Sequence, residues 1–276
     1  MPPGQLDARS VLFVTLDSCR YDSFSAAHAP NLRSLAPVHR AMAPGHFTYG
    51  SHASMFVGFT PSLPGAAEPF LDSKFAKLFR LGAINRGRPD DRAFILEGRS
   101  IIEGFNRLGY QTIGSGAVRW FDPQTPTGGQ LIQDFSEFYY SDVSWNLSGQ
   151  LDWIQNKIDE AGERPVFVFL NIGETHTPYF FGGAPWDAND NPCLPFQCID
   201  RAAECRTRQI ACVEFIDRML PPLLSRFKNA TTLVCADHGD CWGEDGLWEH
   251  GVSHEMTLAV PLLLRVRGVP VARRQG

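Results

Sequence analysis

The chain has 276 residues, of which 43% are hydrophobic and 20% charged, and its formal net charge is −5. This composition is typical of a globular protein and lacks the basic surplus that marks a nucleic-acid partner. No apolar run approaches the roughly 18 residues of a membrane span, and the N-terminus lacks the regions of a signal peptide. We therefore expect one domain over 1–276, in the cytoplasm, with no membrane segment and no nucleic-acid partner.

The predicted elements alternate between strands and helices. The first is a strand at Val11–Leu16, a continuous apolar run rich in β-branched residues. Such a run is typical of a strand that is buried on both faces of a parallel sheet. In chain order there follow a helix from near Ser51, a helix at Leu96–Leu108, a weak strand at Gln111–Gly114, a helix at Asn146–Ala161, a strand at Val166–Ile172, a helix at Arg201–Leu220, and strands at Thr231–Ala236 and Val260–Val266. This alternation predicts an α/β sandwich with a mostly parallel sheet.

Two long segments carry the composition of loops, Thr60–Asp91 and Pro178–Cys198. Loops of this length in a compact domain are usually functional or mobile, and we expect them to shape a pocket. The chain also has seven cysteines, four of them close together in sequence, at Cys193, Cys198, Cys205 and Cys212. Free thiols are favoured, because the CxxC pairs of a zinc knot are missing, while a Cys193–Cys198 disulfide stays open.

Polar residues follow three of the predicted strands. Asp17 follows the first, Glu174 and His176 follow the strand at Val166–Ile172, and Asp237 and His238 follow the strand at Thr231–Ala236. Ligands of α/β sheets bind beyond the carboxyl ends of the strands, so these side chains are expected to meet. Carboxylate and imidazole groups suit a divalent metal. Taken singly, Asp17 can equally be a helix N-cap.

Thr48 lies between a turn at Pro44–Gly45 and the helix predicted from near Ser51. A hydroxyl at a helix N-terminus is well placed to attack an anionic ester, because the free amides and the helix dipole attract the anion. Thr48 is therefore a candidate nucleophile, although either Thr48 or Ser51 can instead be only an N-cap. Arg20 and Asp22 are expected to form a supporting ion pair.

The order of these motifs resembles that of the alkaline-phosphatase superfamily, and within it the sulfatase-like branch. The motifs are LDSCRYD, TYGSHASMFVGF, THTPY, ADHGDCWGEDGLWEHG and the terminal VPLLLR. The resemblance covers Val11–Phe59 and Val166–Val266 well and the middle only loosely. It implies a three-layer α/β/α sandwich with a C-terminal subdomain that is reduced or absent.

The resemblance also implies roles for single residues. Asp17, Thr48, Asp237 and His238 correspond to the metal site, with Thr48 as the nucleophile. His176 corresponds to a histidine that contacts the substrate or leaving group, and His250 to a downstream histidine that contacts the substrate or a metal. Glu174, His254 and His52 are candidates for a second metal or for the substrate, and His52 stands where sulfatases carry an arginine.

The departures from the sulfatase pattern favour phosphate esters. Sulfatases convert a cysteine or serine to formylglycine, which is impossible at Thr48, and Ser18 replaces a second acid after Asp17. We therefore predict a metal-dependent hydrolase or transferase of phosphate esters or phosphodiesters that forms a phospho-threonine intermediate. The alternatives are a sulfuric ester hydrolase, a phosphomutase, and a non-catalytic metal-binding module.

The expected cofactor is one or two divalent ions per chain. Zn or Mn suits the mixed ligand set better than Mg or Ca, which favour oxygen alone. The expected partner is a small-molecule phospho- or sulfo-ester, and the sequence does not predict the oligomeric state.

Overall fold

A central sheet forms the middle of the protein, for which a computed structural model describes residues 5–58 and 99–272. The predicted loop Thr60–Asp91 lies outside these ranges. The strands are β1 (Val11–Leu16), β2 (His39–Met42), β3 (Gln111–Gly116), β4 (Glu137–Tyr140), β5 (Val166–Ile172), β6 (Thr231–Ala236), β7 (Cys241–Trp242), β8 (Trp248–Glu249), β9 (Ala259–Val266) and β10 (Val269–Pro270). The helices are α1 (Tyr21–Ala26), α2 (Pro30–Arg33), α3 (Thr48–Val57), α4 (Ile101–Arg107), α5 (Pro126–Ile132), α6 (Leu147–Ala161), α7 (Ala202–Met219), α8 (Pro221–Arg226) and α9 (Glu255–Leu258).

The sheet is mixed but mostly parallel. Its strand order is β10-β9-β6-β1-β5-β3-β4, and β2 pairs with β9. The strands from β6 to β4 in this order run parallel, whereas β9 is antiparallel to β6, and β2 and β10 are antiparallel to β9. This arrangement confirms the predicted fold class and shows that the terminal strand runs against the others.

Helices cover both faces of the sheet because its central strands are apolar on both sides. One core contains Leu12, Val14 and Leu16 of β1 together with buried residues of α1, α2, α6, α7 and α8. The other contains Phe13 with residues of α3, α4 and α5. Successive side chains of a strand point to opposite faces, so β1 contributes to both cores. The result is the expected three-layer sandwich.

Some predicted boundaries were wrong. α4 begins at Ile101 because Ser100 caps it, with Ser100 Oγ accepting a hydrogen bond from Glu103 N at 3.1 Å. The helix predicted at Arg201–Leu220 is α7, and α8 follows it from Pro221. The segment 173–201 carries no helix or strand, as predicted for its larger part. Within 5–58 and 99–272, no helix has the length and apolar character needed to cross a bilayer.

Candidate metal centre and nucleophile

The register of the sheet aligns the carboxyl ends of β1, β5 and β6. Leu16, the last residue of β1, pairs with Ile172 of β5 and with Ala236 of β6. The next residues along the three strands therefore emerge side by side at the same edge. Asp17 and Asp237 are two of them, and both are fully buried.

Each carboxylate of this pair is oriented by neighbouring hydrogen-bond donors. Asn171 Nδ2 donates to Asp17 Oδ2 at 3.1 Å. Ser18 N donates to Asp237 Oδ1 at 3.1 Å, and His238 N donates to the same oxygen at 3.0 Å. Ser18 adopts a left-handed φ of 59°, which is uncommon for a residue with a side chain and turns its amide towards Asp237.

His238 lies against both carboxylates, and one hydrogen bond determines which nitrogen faces them. Its Nδ1 lies 3.0 Å from Gly239 O. A carbonyl oxygen only accepts, so Nδ1 carries the proton and neutral His238 presents an unprotonated Nε2. That Nε2 lies 3.5 Å from Asp237 Oδ2 and 3.8 Å from Asp17 Oδ1. Burial lowers the pKa of His238 to about 4, so the ring is neutral, as a metal ligand must be.

The remaining oxygen of Asp237 points to a cation. Asp237 Oδ2 is buried and has no hydrogen-bond partner among the described residues. Burial, and then the charge of Asp17, raise the pKa of Asp237 well above its usual value. Two buried carboxylates and an unprotonated imidazole nitrogen are costly without a positive charge between them. Asp17, Asp237 and His238 lie close enough to hold one metal ion, and this set fits a divalent cation.

Thr48 joins this group from α3. The helix begins at Thr48 rather than near Ser51, and its N-cap is Phe47, which provides no side-chain cap. Neither Thr48 nor Ser51 is therefore the N-cap, and the first-turn amides carry no side-chain cap. Thr48 is fully buried, and its Oγ1 lies 3.3 Å from His238 Nε2. The hydroxyl thus shares the space that the two carboxylates and the imidazole face.

His52 holds Thr48 by its main chain. His52 Nδ1 lies 2.8 Å from Thr48 O, so this nitrogen donates. Its Nε2 then accepts from Thr15 Oγ1 at 3.0 Å, and Thr15 in turn accepts from Asn171 Nδ2 at 3.3 Å. Burial lowers the pKa of His52 to about 4. Because both ring nitrogens are occupied, we assign His52 a positioning role rather than the predicted contact with a metal or substrate.

A second cluster adjoins the first through His238. His250 Nδ1 lies 2.7 Å from Asp240 Oδ1, and the rings of His250 and His238 are 4.5 Å apart. His238, Asp240 and His250 also lie close enough to hold a metal ion. Burial lowers the pKa of His250, but the hydrogen bond and charge of Asp240 outweigh this effect and raise it to about 9.

His176 lies beside this second cluster. Its ring is 5.3 Å from that of His250. His176 Nδ1 donates to Thr177 O at 2.8 Å, which leaves Nε2 for a further contact. The segment that carries His176 is thus brought to the same edge as Thr48, as its position after β5 predicts.

Asp240, Asn171 and Tyr179 are site residues that the sequence analysis missed. Asp240 is fully buried, and Tyr179 Oη donates to its Oδ2 at 2.7 Å. Asn171 lies within β5 and therefore reads as core. For Asp240 a signal was present, since it follows His238 by two positions and His250 needs a carboxylate to orient it.

Glu174 and His254 lie outside both groups that can hold a metal among the described residues. Glu174 Oε1 accepts from Leu147 N, the first residue of α6, at 2.8 Å. A carboxylate at this position stabilises the N-terminus of a helix. His254 caps α9 and lies 3.2 Å from Asp245, so both residues have structural contacts, and their role towards a second metal or the substrate stays a prediction.

Two other predictions concern structural contacts. Arg20 and Asp22 form the expected ion pair, at 2.9 Å. All seven cysteines are free thiols, so the Cys193–Cys198 disulfide is not formed.

Glu174→Gln is expected to remove a pH dependence of folding. Burial raises the pKa of Glu174 from 4.5 to about 7. The folded state therefore holds this proton more tightly than the unfolded chain, and stability falls as pH rises from about 4.5 through 7. Between pH 4.5 and 8 the free energy of unfolding of the variant should gain roughly 3 kcal/mol relative to the native protein. Urea unfolding at both pH values measures this difference, and Glu160→Gln, a change at an exposed glutamate, is the control. An equal change in the free energy of unfolding with pH in native protein and Glu174→Gln would contradict the prediction.

Comparisons with known proteins support the fold. No protein-family model matches the sequence, and no curated protein matches it. Among solved structures, a protein in the alkaline phosphatase superfamily from Vibrio parahaemolyticus aligns with 96% of this chain and 62% of its own, at 14% identity and a TM-score of 0.54. This chain has the alkaline-phosphatase superfamily fold. The fold that the motif resemblance implies is thereby confirmed.

Two further solved structures with this fold are domains of phosphoethanolamine transferases or of proteins of the same name. The periplasmic domain of the phosphoethanolamine transferase EptC from Campylobacter jejuni aligns with 94% of this chain and 80% of its own, at 11% identity and a TM-score of 0.61. The EptC domain from Escherichia coli, solved as a complex with Zn, aligns with 96% of this chain and 74% of its own, at 13% identity and a TM-score of 0.61. Both are periplasmic domains, so they lend no support to the cytoplasmic location, which stays a prediction.

Proposed function

We propose that this alkaline-phosphatase-fold protein is a metal-dependent hydrolase or transferase of phosphate esters with Thr48 as nucleophile. One observation carries the proposal. The buried Thr48 Oγ1 lies 3.3 Å from His238 Nε2. The same nitrogen faces Asp237 Oδ2, which has no hydrogen-bond partner within 5–58 and 99–272. A hydroxyl aimed at an electrostatically incomplete cluster suits nucleophilic catalysis better than a structural cap.

The cation would be held by Asp17, Thr48, Asp237 and His238. Zn²⁺ or Mn²⁺ fits a set of two carboxylates, an imidazole and a hydroxyl. When bound, such an ion lowers the pKa of a coordinated hydroxyl and neutralises charge on the phosphoryl oxygens. The zinc complex of a protein with the same fold supports this assignment.

The reaction divides into two transfers. Thr48 Oγ forms a bond to phosphorus while the bond from phosphorus to the leaving oxygen breaks, and the hydroxyl proton passes to solvent. The leaving alcohol takes a proton from His250, or from His176 when both of its ring nitrogens are protonated. Water or an acceptor alcohol then attacks the phospho-threonine and restores Thr48. Hydrolysis and transfer differ only in this acceptor.

His250 and His176 are placed for different tasks. Asp240 holds His250 as a cation at neutral pH, which suits contact with an anionic phosphoryl oxygen. His176 has a free Nε2 beside it, which suits proton transfer to the leaving group. The uncapped first turn of α3 provides further donors for the anion.

Two features favour phosphate over sulfate esters. Threonine cannot be converted to the formylglycine of sulfatases. His52, where sulfatases carry an arginine, is neutral and fully engaged by Thr15 and Thr48. A phosphomutase would use the same first transfer and return the phosphoryl group to its substrate. His238, Asp240 and His250 lie close enough to hold an ion, but a cationic His250 cannot ligate one, so the proposed mechanism uses a single cation.

A turnover panel on metal-analysed protein tests the proposal. It compares a nitrophenyl phosphate monoester, a diester and a sulfate, with added Mn²⁺ or Zn²⁺ and with a chelator. Phosphoester turnover that needs the metal is the expected result. Turnover of the sulfate alone would reject the choice of ester, and absence of both metal binding and turnover would favour the non-catalytic alternative.

Asp240→Asn is expected to lower kcat/KM by about 10- to 100-fold, since the variant loses the charge that orients His250 and keeps it protonated. Asp245→Asn is the matched control, because Asp245 forms a similar contact with His254 but its side chain is 83% exposed. Steady-state kinetics of both variants measures the difference. Equal losses in the two variants would contradict a specific role for Asp240.

A further inference from the structure

The hairpin of β7 and β8 carries Asp240 and His250 but stands apart from the central sheet. Cys241 pairs with Glu249 across the hairpin, so Asp240, which precedes β7, and His250, which follows β8, lie opposite each other. The two strands form a separate two-stranded sheet. Two strands alone are only marginally stable, so contacts to the rest of the protein determine where the hairpin holds His250.

Tyr179 links this hairpin to the segment that carries His176. The ring of Tyr179 is fully buried and packs edge-on against that of Trp242 in β7, with centroids 5.9 Å apart. Its hydroxyl Oη lies 2.7 Å from Asp240 Oδ2, and its main-chain N donates to His176 O at 2.8 Å. One residue thus contacts both the main chain at His176 and the carboxylate of the hairpin.

Trp242 determines the direction of the hydrogen bonds at Tyr179 Oη. Trp242 Nε1 lies 2.8 Å from Tyr179 Oη, and an indole nitrogen only donates. Tyr179 Oη therefore accepts from Trp242 and directs its own proton to Asp240 Oδ2. Asp240 Oδ1 is left for His250 Nδ1, at 2.7 Å. Each oxygen of the carboxylate thus has a donor of its own, and the carboxylate cannot rotate without losing one of them.

Tyr179 and Trp242 are themselves held in this arrangement. Tyr179 adopts a left-handed φ of 57°, which is uncommon for a residue with a side chain and persists only where surrounding contacts stabilise it. Trp186 Nε1 donates to Tyr179 O at 3.0 Å. The guanidinium of Arg20, which pairs with Glu244, lies 4.0 Å from the centre of the Trp242 ring. A tyrosine that only fills the core needs neither an unusual backbone nor a charged acceptor, so these contacts favour a role at the site.

We propose that Tyr179 is a positioning residue that fixes Asp240 and, through it, the place of His250 beside His176. The rings of the two histidines are 5.3 Å apart. This inference rests on the proposed function, in which both histidines act on the phosphoryl group or the leaving group. Tyr179 contacts neither of these groups itself. Its hydroxyl should therefore contribute to kcat through the alignment of His250 and leave KM nearly unchanged.

Tyr179→Phe tests the proposal, because it removes the hydroxyl and keeps the buried ring. Steady-state kinetics with a nitrophenyl phosphoester should show a kcat about tenfold below native and a KM within about twofold of native. A role through Asp240 also predicts that Tyr179→Phe has no further effect in the Asp240→Asn background, since coupled residues are not additive. Tyr110→Phe is the control, because Tyr110 Oη donates to Arg9 O at the opposite edge of the sheet, where β3 begins.

A second measurement does not depend on turnover. The proton on His250 Nδ1 lies between His250 and Asp240, and its hydrogen exchange, followed by NMR, reports how firmly the pair is held. This resonance is assigned by its loss in His250→Gln. The proton should exchange at least about tenfold faster in Tyr179→Phe than in the native protein. Trp242→Phe removes the indole donor but retains Tyr179, and it should accelerate the exchange as well, so the test stands even if Tyr179→Phe does not fold.

The outcomes separate the two proposals. Losses of kcat that multiply when Tyr179→Phe and Asp240→Asn are combined, or native exchange of the His250 proton in the folded variants, would overturn this inference and leave the proposed function intact. A fall in thermal stability with native kcat would also overturn it, since that pattern indicates a purely structural role. If the native protein turns over no phosphoester, the proposed function fails, and hydrogen exchange still decides whether Tyr179 positions His250.

Discussion

Replacing Thr48 with alanine is expected to abolish phosphoester turnover while leaving the fold and the other three metal-binding residues in place. The substitution removes the Oγ1 that lies 3.3 Å from His238 Nε2, but leaves both carboxylates and the imidazole. Loss of a covalent nucleophile lowers kcat by at least about 10³-fold. Initial rates with a nitrophenyl phosphoester measure the loss, and calorimetric titration with Mn²⁺ measures what remains of the metal affinity.

Thr48→Ser is the matched control for this prediction. It retains a hydroxyl on the same main-chain position, which His52 continues to hold, so it should keep part of the native rate. Intact-mass measurement during turnover should also detect one added phosphoryl group on the native protein and on Thr48→Ser. Thr48→Ala with near-native turnover, or a phosphoryl group mapped to another residue, would reject the assignment of the nucleophile.

Asp237→Asn is expected to separate metal binding from folding. Asparagine retains an oxygen for the amides of Ser18 and His238, so the local hydrogen bonds persist. It removes one of two like charges that are buried together, and the metal-free variant should therefore be at least as stable as native. The stabilisation by metal, about 2.7 kcal/mol at a free concentration of 100 times Kd, should be lost.

Thermal unfolding with and without Mn²⁺ measures this loss. Because Cys198 is an exposed thiol that can bind added Zn²⁺ elsewhere, Zn²⁺ titrations should use the Cys198→Ser background. Asp245→Asn serves as the acidic control away from the site. A thermal shift of native size in Asp237→Asn would show that the cation binds outside the predicted cluster.

The fold was predictable where burial on two faces leaves a clear pattern. β1, β5 and β6 are continuous apolar runs, and their register aligns Asp17 and Asp237 as expected for the ends of parallel strands. The start of α3 was not predictable from local signals. Phe47 is an N-cap without a capping side chain, and tertiary contacts rather than capping chemistry determine where this helix begins.

The candidate site was predictable only in part. Motif order brought out Thr48 and His238 but gave His52, Glu174 and His254 more reactive roles than their contacts support. Glu174 bonds Leu147 N and His52 bonds Thr15 Oγ1 across 27 and 37 residues, which no local pattern encodes. His254 makes only local contacts, with Met256 N and Asp245. Asp240 was overlooked because its role depends on two contacts that form only in the folded chain. It hydrogen-bonds His250 Nδ1 and Tyr179 Oη.

The hydrogen bond from His52 to the carbonyl oxygen of Thr48 has a consequence for the evolution of this site. His52 hydrogen-bonds the main-chain oxygen of residue 48, so this contact does not depend on the side chain at that position. The side chain at position 48 can therefore change while the start of α3 keeps its position. Variation at position 48 is expected to change the side chain that the tip of α3 presents without disturbing the hydrogen bond that holds its main chain.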